Sequence, residues 1–177
     1  MERIGIFCSA SDNVDEVYFN AARELGDWLG RNKKTLVYGG SDRGLMACVS
    51  QSAHEAGALV MGVVPTLLEE RSMVSDLLDV TFRTDNLSDR KDVMLRESDI
   101  LVALPGGVGT LDEVFHVMAS AVIGYHGKRV VFYNVNGFWN GILDFLKNLK
   151  ATRFAHRPLD EHYAVADNLN ELIELLK

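Results

Sequence analysis

Pro105-Gly106-Gly107-Val108-Gly109-Thr110-Leu111-Asp112-Glu113 gathers three glycines, a hydroxyl and two carboxylates within nine positions. A glycine turn brings bare backbone N–H groups close to a ligand, and where it opens a helix the N-terminus adds partial positive charge. The chemistry on offer is capture of an anion, phosphate first of all, by Gly106, Gly107, Gly109 and Thr110. Glu113 falls one turn into the helix that follows, near whatever carries the anion. It also stands three positions after Thr110, the spacing of a capping box, in which the Thr oxygen takes an N–H and the Glu reaches back. Spacing alone leaves the two roles of Glu113 level. Arg90 and Lys91 lie on the segment leading toward this string. An isolated basic pair ordinarily marks a solvated helix face. Here an Arg could hold phosphate by two parallel hydrogen bonds or steady a departing base.

Other familiar devices are missing from the sequence. There is no G-x-x-x-x-G-K-[ST] string, no G-x-G-x-x-G after a strand, and no Ser or Cys in a nucleophile elbow. His54, His116, His126, His156 and His162 are scattered without metal-ligand spacing, so no metal and no cofactor is expected. Ser9 and Ser11 end the first strand and are open to ligand contact or to ordinary turn capping.

The elements that must position these groups alternate. Ile100–Leu104 is a short apolar run of the kind buried on both faces of a parallel sheet. Similar runs stand at Arg3–Cys8, Thr35–Tyr38, Ala58–Val64, Val80–Arg83, Arg129–Asn134 and Tyr163–Val165. Helical patterns separate them: from Asp12 or Asn13 to about Gly30, Leu45–Glu55, from Asn86 or Ser88 to Glu97, Thr110–Ile123, from Gly137 to Lys150, and a last one capped by Asp167. Thr66–Leu78 breaks periodicity and reads as a loop or short helix near the site. The alternation predicts one α/β domain over 1–177, Rossmann-like, with an open, mainly parallel sheet and helices on both faces. Gly39-Gly40 ends the second strand and makes a second glycine turn. Both turns lie at strand carboxyl ends, where such sheets bind ligands, so Gly39 and Gly40 join the candidate phosphate contacts. The helix after Thr110 is apolar around nearly its whole circumference, which predicts a second subunit on its outer face.

The 177 residues carry a formal charge of -7, with a pI near 5.2. No Lys/Arg run appears, which argues against a nucleic-acid polymer as partner. Cys8 and Cys48 are the only cysteines and are expected to be buried thiols in a reducing compartment. No signal peptide is apparent, and no apolar run approaches the ~20 residues a membrane helix needs. The expected location is the cytoplasm, with no membrane partner.

The string Pro105–Glu113 with Arg90-Lys91 resembles the family of cytokinin riboside 5'-monophosphate phosphoribohydrolases, whose members were often labelled lysine decarboxylases. Weaker matches are Tyr38-Gly39-Gly40, Gly44-Leu45-Met46, Met61–Pro65 and Val135–Trp139, so the resemblance covers most of the chain. It implies that Arg90 and Glu113 are the catalytic pair, that the glycine string and Thr110 bind phosphate, and that the protein dimerises with the site near the interface. The implied reaction is hydrolysis of the N-glycosidic bond of a purine nucleoside 5'-monophosphate, AMP or an N6-substituted relative. The alternatives are a nucleotide-binding regulator without turnover and another phosphosugar enzyme. The chain departs from plant-type members at Ser41, Ser72, Leu87 and Ala119-Ser120, positions the resemblance assigns to the base side of the pocket.

Overall fold

The structure is a computed structural model describing residues 1–155 and 159–177; His156 lies outside the described residues. Seven strands form one sheet: β1 (Arg3–Phe7), β2 (Thr35–Tyr38), β3 (Leu59–Pro65), β4 (Val80–Thr84), β5 (Ile100–Ala103), β6 (Val130–Tyr133) and β7 (Tyr163–Ala166). Their order is β4-β3-β2-β1-β5-β6-β7, and every neighbouring pair is parallel. The chain winds outward from β1 to β4, then returns to pair β5 with the free side of β1. That reversal makes β1/β5 the switch point of the sheet, from which the helices after these two strands pass to opposite faces.

The helices are α1 (Glu16–Arg31), α2 (Gly44–Glu55), α3 (Thr66–Glu70), α4 (Leu87–Glu97), α5 (Val108–Ile123), α6 (Asn140–Ala151) and α7 (Leu169–Leu176). The sheet divides the core in two. On one face Leu25 and Leu29 of α1, Leu45 and Val49 of α2 and Leu172 and Leu176 of α7 pack on Ile4, Ile6, Leu36 and Val102. On the other, Met94 of α4, Val114, Val117 and Met118 of α5 and Leu143 and Leu146 of α6 pack on Phe7, Val37, Leu101 and Phe132. β5 and β6 are buried at every position, and β2 at every position after Thr35, because both of their faces are covered.

Several boundaries and caps differ from the sequence reading. Asp15, not Asp12 or Asn13, precedes α1, and it makes no side-chain cap; Asp12 reaches across the chain instead, accepting the N–H of Gly44 at 2.9 Å. Asn86 caps α4 as expected, accepting from Ser88 and Asp89. Asn168, not Asp167, caps α7; Asp167 accepts from Asn134 Nδ2. Gly137 closes a short 3-10 turn (Val135–Gly137) before α6 rather than opening the helix. The short helix α3 packs near β3 and β4, with Glu69 paired to Arg83 at 2.8 Å. Helix α5 begins at Val108 behind Gly107, so Thr110 is its third residue rather than its cap. Cys8 is buried, whereas Cys48 is half-buried.

Candidate active site

The loops after β1 and β5 are pinned together at the switch point. Leu104 N–H donates to the Phe7 carbonyl at 3.0 Å and Ser9 N–H to the Pro105 carbonyl at 3.2 Å, prolonging the strand pairing into the turns. Trp139, 1% exposed, donates its indole N–H to the Ala103 carbonyl at 3.0 Å. This fixes the end of β5 directly before the glycine string. Gly106 lies against Thr110: a Cβ there would overlap Thr110 Oγ1. The turn then opens into α5, and the N–H groups of Val108, Gly109 and Thr110 have no acceptor among the described residues. An unfilled helix N-terminus with small residues around it is a ready anion seat.

A cavity of about 270 Å³ opens beside this N-terminus, lined by Cys8, Ser9, Ala10, Met46, Arg90, Gly107, Gly109, Thr110 and Glu113. Arg90 comes from the first turn of α4 and Glu113 from the second turn of α5. Both are buried, and Arg90 Nη1 stands 3.2 Å from Glu113 Oε1. Arg90 Nε donates to the Val63 carbonyl at 3.1 Å. Glu113 is therefore turned toward Arg90 and the cavity, and the capping-box role is not taken up. Burial pushes the Glu113 carboxyl up from 4.5 to about 7, the Asp112 charge adding to it and Arg90 and Lys91 opposing it. The thiol of Cys8 is raised far above its ordinary range, first by burial and then by the Glu113 charge, so it lines the cavity as a neutral group.

The other expected contacts separate. Gly39 sits behind the Arg90 guanidinium, where a Cβ would overlap Nη2. Gly40, at φ +75°, turns the chain away from the cavity, and its carbonyl accepts from Ser75 N–H at 2.9 Å. Lys91 Nζ is held by both carboxylate oxygens of Asp112 at 2.8 Å, beside the cavity rather than among its lining residues. Ser9 lines the cavity; Ser11 does not, donating its N–H to Ser9 Oγ at 3.0 Å. Leu87 is 58% exposed on the outside of α4. Sequence reasoning missed Cys8, Ala10 and Met46 as lining residues. The signal for Met46 was its place two residues beyond Gly44, at the start of α2.

An apolar cavity of about 260 Å³ adjoins the first and shares Ser9 and Gly107 with it; Tyr18, Pro105 and Phe138 form its walls. The Tyr18 and Phe138 rings meet edge to face with centroids 5.7 Å apart. A larger groove of about 380 Å³ lies at the opposite end of the sheet, around Asp99 and Lys128. Two of its polar side chains are already employed: Asp99 accepts the N–H groups of Glu2 and Arg3, and Lys128 donates to the Leu95 carbonyl.

A family model described as "Possible lysine decarboxylase" matches residues 46–176. The cytokinin riboside 5'-monophosphate phosphoribohydrolase LOG5 of Arabidopsis thaliana is 37% identical over 177 residues, covering 99% of this chain and 77% of the relative. The chain belongs to this phosphoribohydrolase family. A probable member from Oryza sativa subsp. japonica, LOGL2, is 39% identical over 176 residues, covering 99% of this chain and 72% of its own. Among solved structures, the Moco carrier protein from Chlamydomonas reinhardtii superposes with a TM-score of 0.75 at 25% identity, covering 99% of this chain and 94% of that one. The molybdenum cofactor binding protein from Rippkaea orientalis shares the fold, with a TM-score of 0.72 at 22% identity and coverage of 99% and 94%. The two descriptions of the family, decarboxylase and phosphoribohydrolase, ask for different groups. No lysine stands among the residues lining the cavity, and Lys91 beside it is paired with Asp112. What the cavity offers is an anion seat and a buried carboxylate.

Proposed function

We propose that the protein hydrolyses the N-glycosidic bond of a purine nucleoside 5'-monophosphate, AMP or an N6-substituted relative such as a cytokinin ribotide, releasing free base and ribose 5-phosphate. The observation that carries this reading is the buried Arg90–Glu113 pair one turn beyond an open helix N-terminus. Phosphate would sit on the N–H groups of Val108–Thr110, with Gly106 and Gly107 giving access and Thr110 adding its hydroxyl. The ribose would then reach Glu113. Cleavage develops positive charge on the sugar ring. An ionised Glu113 would stabilise that charge and take a proton from the attacking water, whose oxygen bonds to the anomeric carbon as the base departs with the bonding pair. Arg90 would hold Glu113 and steady the leaving base or the phosphate. Phosphate binding thereby positions a bond that the seat itself does not touch.

The outer side of α5 supports pairing of two copies. Val108 is 84% exposed and Ile123 65%, on a helix whose inner side is core. A twofold dimer through this helix would cover both. Cytoplasmic residence is part of the proposal. It rests on the two free cysteines, and no helix among the described residues is long and apolar enough to cross a membrane.

The test is release of adenine from AMP, and of the substituted base from an N6-isopentenyl ribotide, by purified protein and by its Glu113→Gln variant. Release by wild type that the variant loses supports hydrolysis; no release from either substrate overturns it. Binding without turnover is the second reading, favoured by the resemblance of the fold to the Moco carrier protein. AMP-dependent stabilisation with no base release would establish it.

A further inference from the structure

We propose that Gly39 is a positioning residue for Arg90: the missing side chain at the end of β2 is the slot that holds the guanidinium against Glu113. This rests on the hydrolytic reading above and goes beyond it. Two glycines end β2, and they are glycines for different reasons. Gly40 has φ +75°, a left-handed conformation that side chains resist. Gly39 is absent from the positive-φ residues, so its backbone conformation is open to any residue. What excludes a side chain at Gly39 is space alone. A Cβ there would overlap Arg90 Nη2 and stand 3.1 Å from Cζ and 3.2 Å from Met46 Sδ.

The guanidinium is thereby held on three sides. Nε donates to the Val63 carbonyl of β3 at 3.1 Å, Nη1 faces Glu113 at 3.2 Å, and Nη2 lies over Gly39. A methyl at Gly39 pushes the whole planar group outward, and the contact with Glu113 is the one free to lengthen, because Val63 is fixed in the sheet. The charged groups around Glu113 are Arg90 and Lys91 from α4 and Asp112 on α5; the neutral thiol of Cys8 faces it from the turn after β1. Withdrawing Arg90 leaves the acidic neighbour and the burial in place, so the carboxyl becomes harder to ionise.

The experiment uses Gly39→Ala, Arg90→Lys and the double variant in the full chain. Carboxyl-13C glutamate NMR, with the Glu113 resonance assigned from Glu113→Gln, follows ionisation without any need for turnover. The expected result is a Glu113 midpoint moved upward in Gly39→Ala. For base release, kcat should fall by about a hundredfold, the scale of a misplacement near 1 Å, with KM changed much less because the α5 amides are untouched. Lysine has no Nη2 branch, so in the Arg90→Lys background the Gly39→Ala change should leave both midpoint and urea stability as they were. An unmoved Glu113 midpoint in Gly39→Ala, or equal damage with arginine and with lysine at position 90, including unfolding in both, overturns the proposal. Absence of base release by wild type would remove the hydrolytic reading and leave the NMR and unfolding comparison to decide this one.

Discussion

The two glycine turns follow β2 and β5, the strands on either side of β1, open into helices at the same end of the sheet, and look interchangeable in the sequence. Their helix N-termini are nevertheless in opposite states. At α2 the first amides are occupied: Gly44 N–H donates to Asp12 Oδ1 at 2.9 Å, and Leu45 and Met46 donate to the Ser9 carbonyl at 3.0 and 3.3 Å. Gly44, at φ +56°, is pressed against the Ala10–Ser11 backbone, with a Cβ position 2.5 Å from the Ala10 carbonyl carbon. At α5 the amides of Val108–Thr110 have no acceptor among the described residues, and a Cβ at Gly107 or Gly109 would meet nothing within 4 Å. One turn is filled by the protein; the other is left for something else. A glycine motif therefore marks a ligand seat only where the chain does not bring its own carbonyls and carboxylates to the helix end.

The sharpest way to break this contrast is at the acid beyond the open turn. Glu113→Gln should lower base release from AMP by about 10²- to 10⁴-fold, the range for a lost general base, while AMP still raises the melting temperature. Unchanged turnover would return Glu113 to a structural role. The pH dependence follows from the carboxyl being raised from 4.5 to about 7. Turnover should climb as pH rises through about 7, because the proposed mechanism uses the ionised form. Stability should run the other way. A carboxyl raised by folding favours the native state fully below 4.5, and that contribution is lost as pH climbs through about 7. Between these limits wild type should lose on the order of 3 kcal/mol relative to Glu113→Gln, at about 1.4 kcal/mol per pH unit, measured by urea unfolding at both ends of the range.

Two smaller effects separate the turns directly. Gly107→Ala puts a methyl where only ligand can be, so AMP affinity in calorimetry should fall about tenfold, near 1.4 kcal/mol, with urea stability held. Asp12→Ala removes the side chain that closes the other helix, so stability should drop by about 0.5–2 kcal/mol with AMP affinity unchanged. The reverse pattern in this pair would erase the distinction.

The sequence displayed the layered fold well, because strands buried on both faces leave continuous apolar runs and the helices between them are regular. It displayed the candidate site unevenly. Gly106–Glu113 is one contiguous string, so its turn and helix are local and readable, although the helix starts at Val108 rather than at Thr110. Strand order is not local, and the meeting of Arg90 with Glu113 depends on it. Asp12 looked like a cap for the helix beside it and closes another one, since Gly44 reaches it only through the β1–β2 pairing. Lys91 resembled its neighbour Arg90 in type, but one step along α4 turns it to Asp112. Cys8 has no chemical signature as a lining residue, being an ordinary apolar position until the sheet is assembled, and Met46 had only its place beyond Gly44.

The pairing of Ile4–Phe7 with Ile100–Ala103 also governs when the cavity can come into being. β1 through β4 can align side by side as they are synthesised, each against the strand next to it, and they supply Ser9, Gly39 and Met46 early. The anion seat and its acid arrive only when a segment nearly a hundred residues later closes on β1, a long-range closure of the kind that slows folding. A nascent chain released before Glu113 would carry at most five of the seven strands and lack the proposed acid, so the cavity is completed only late in synthesis.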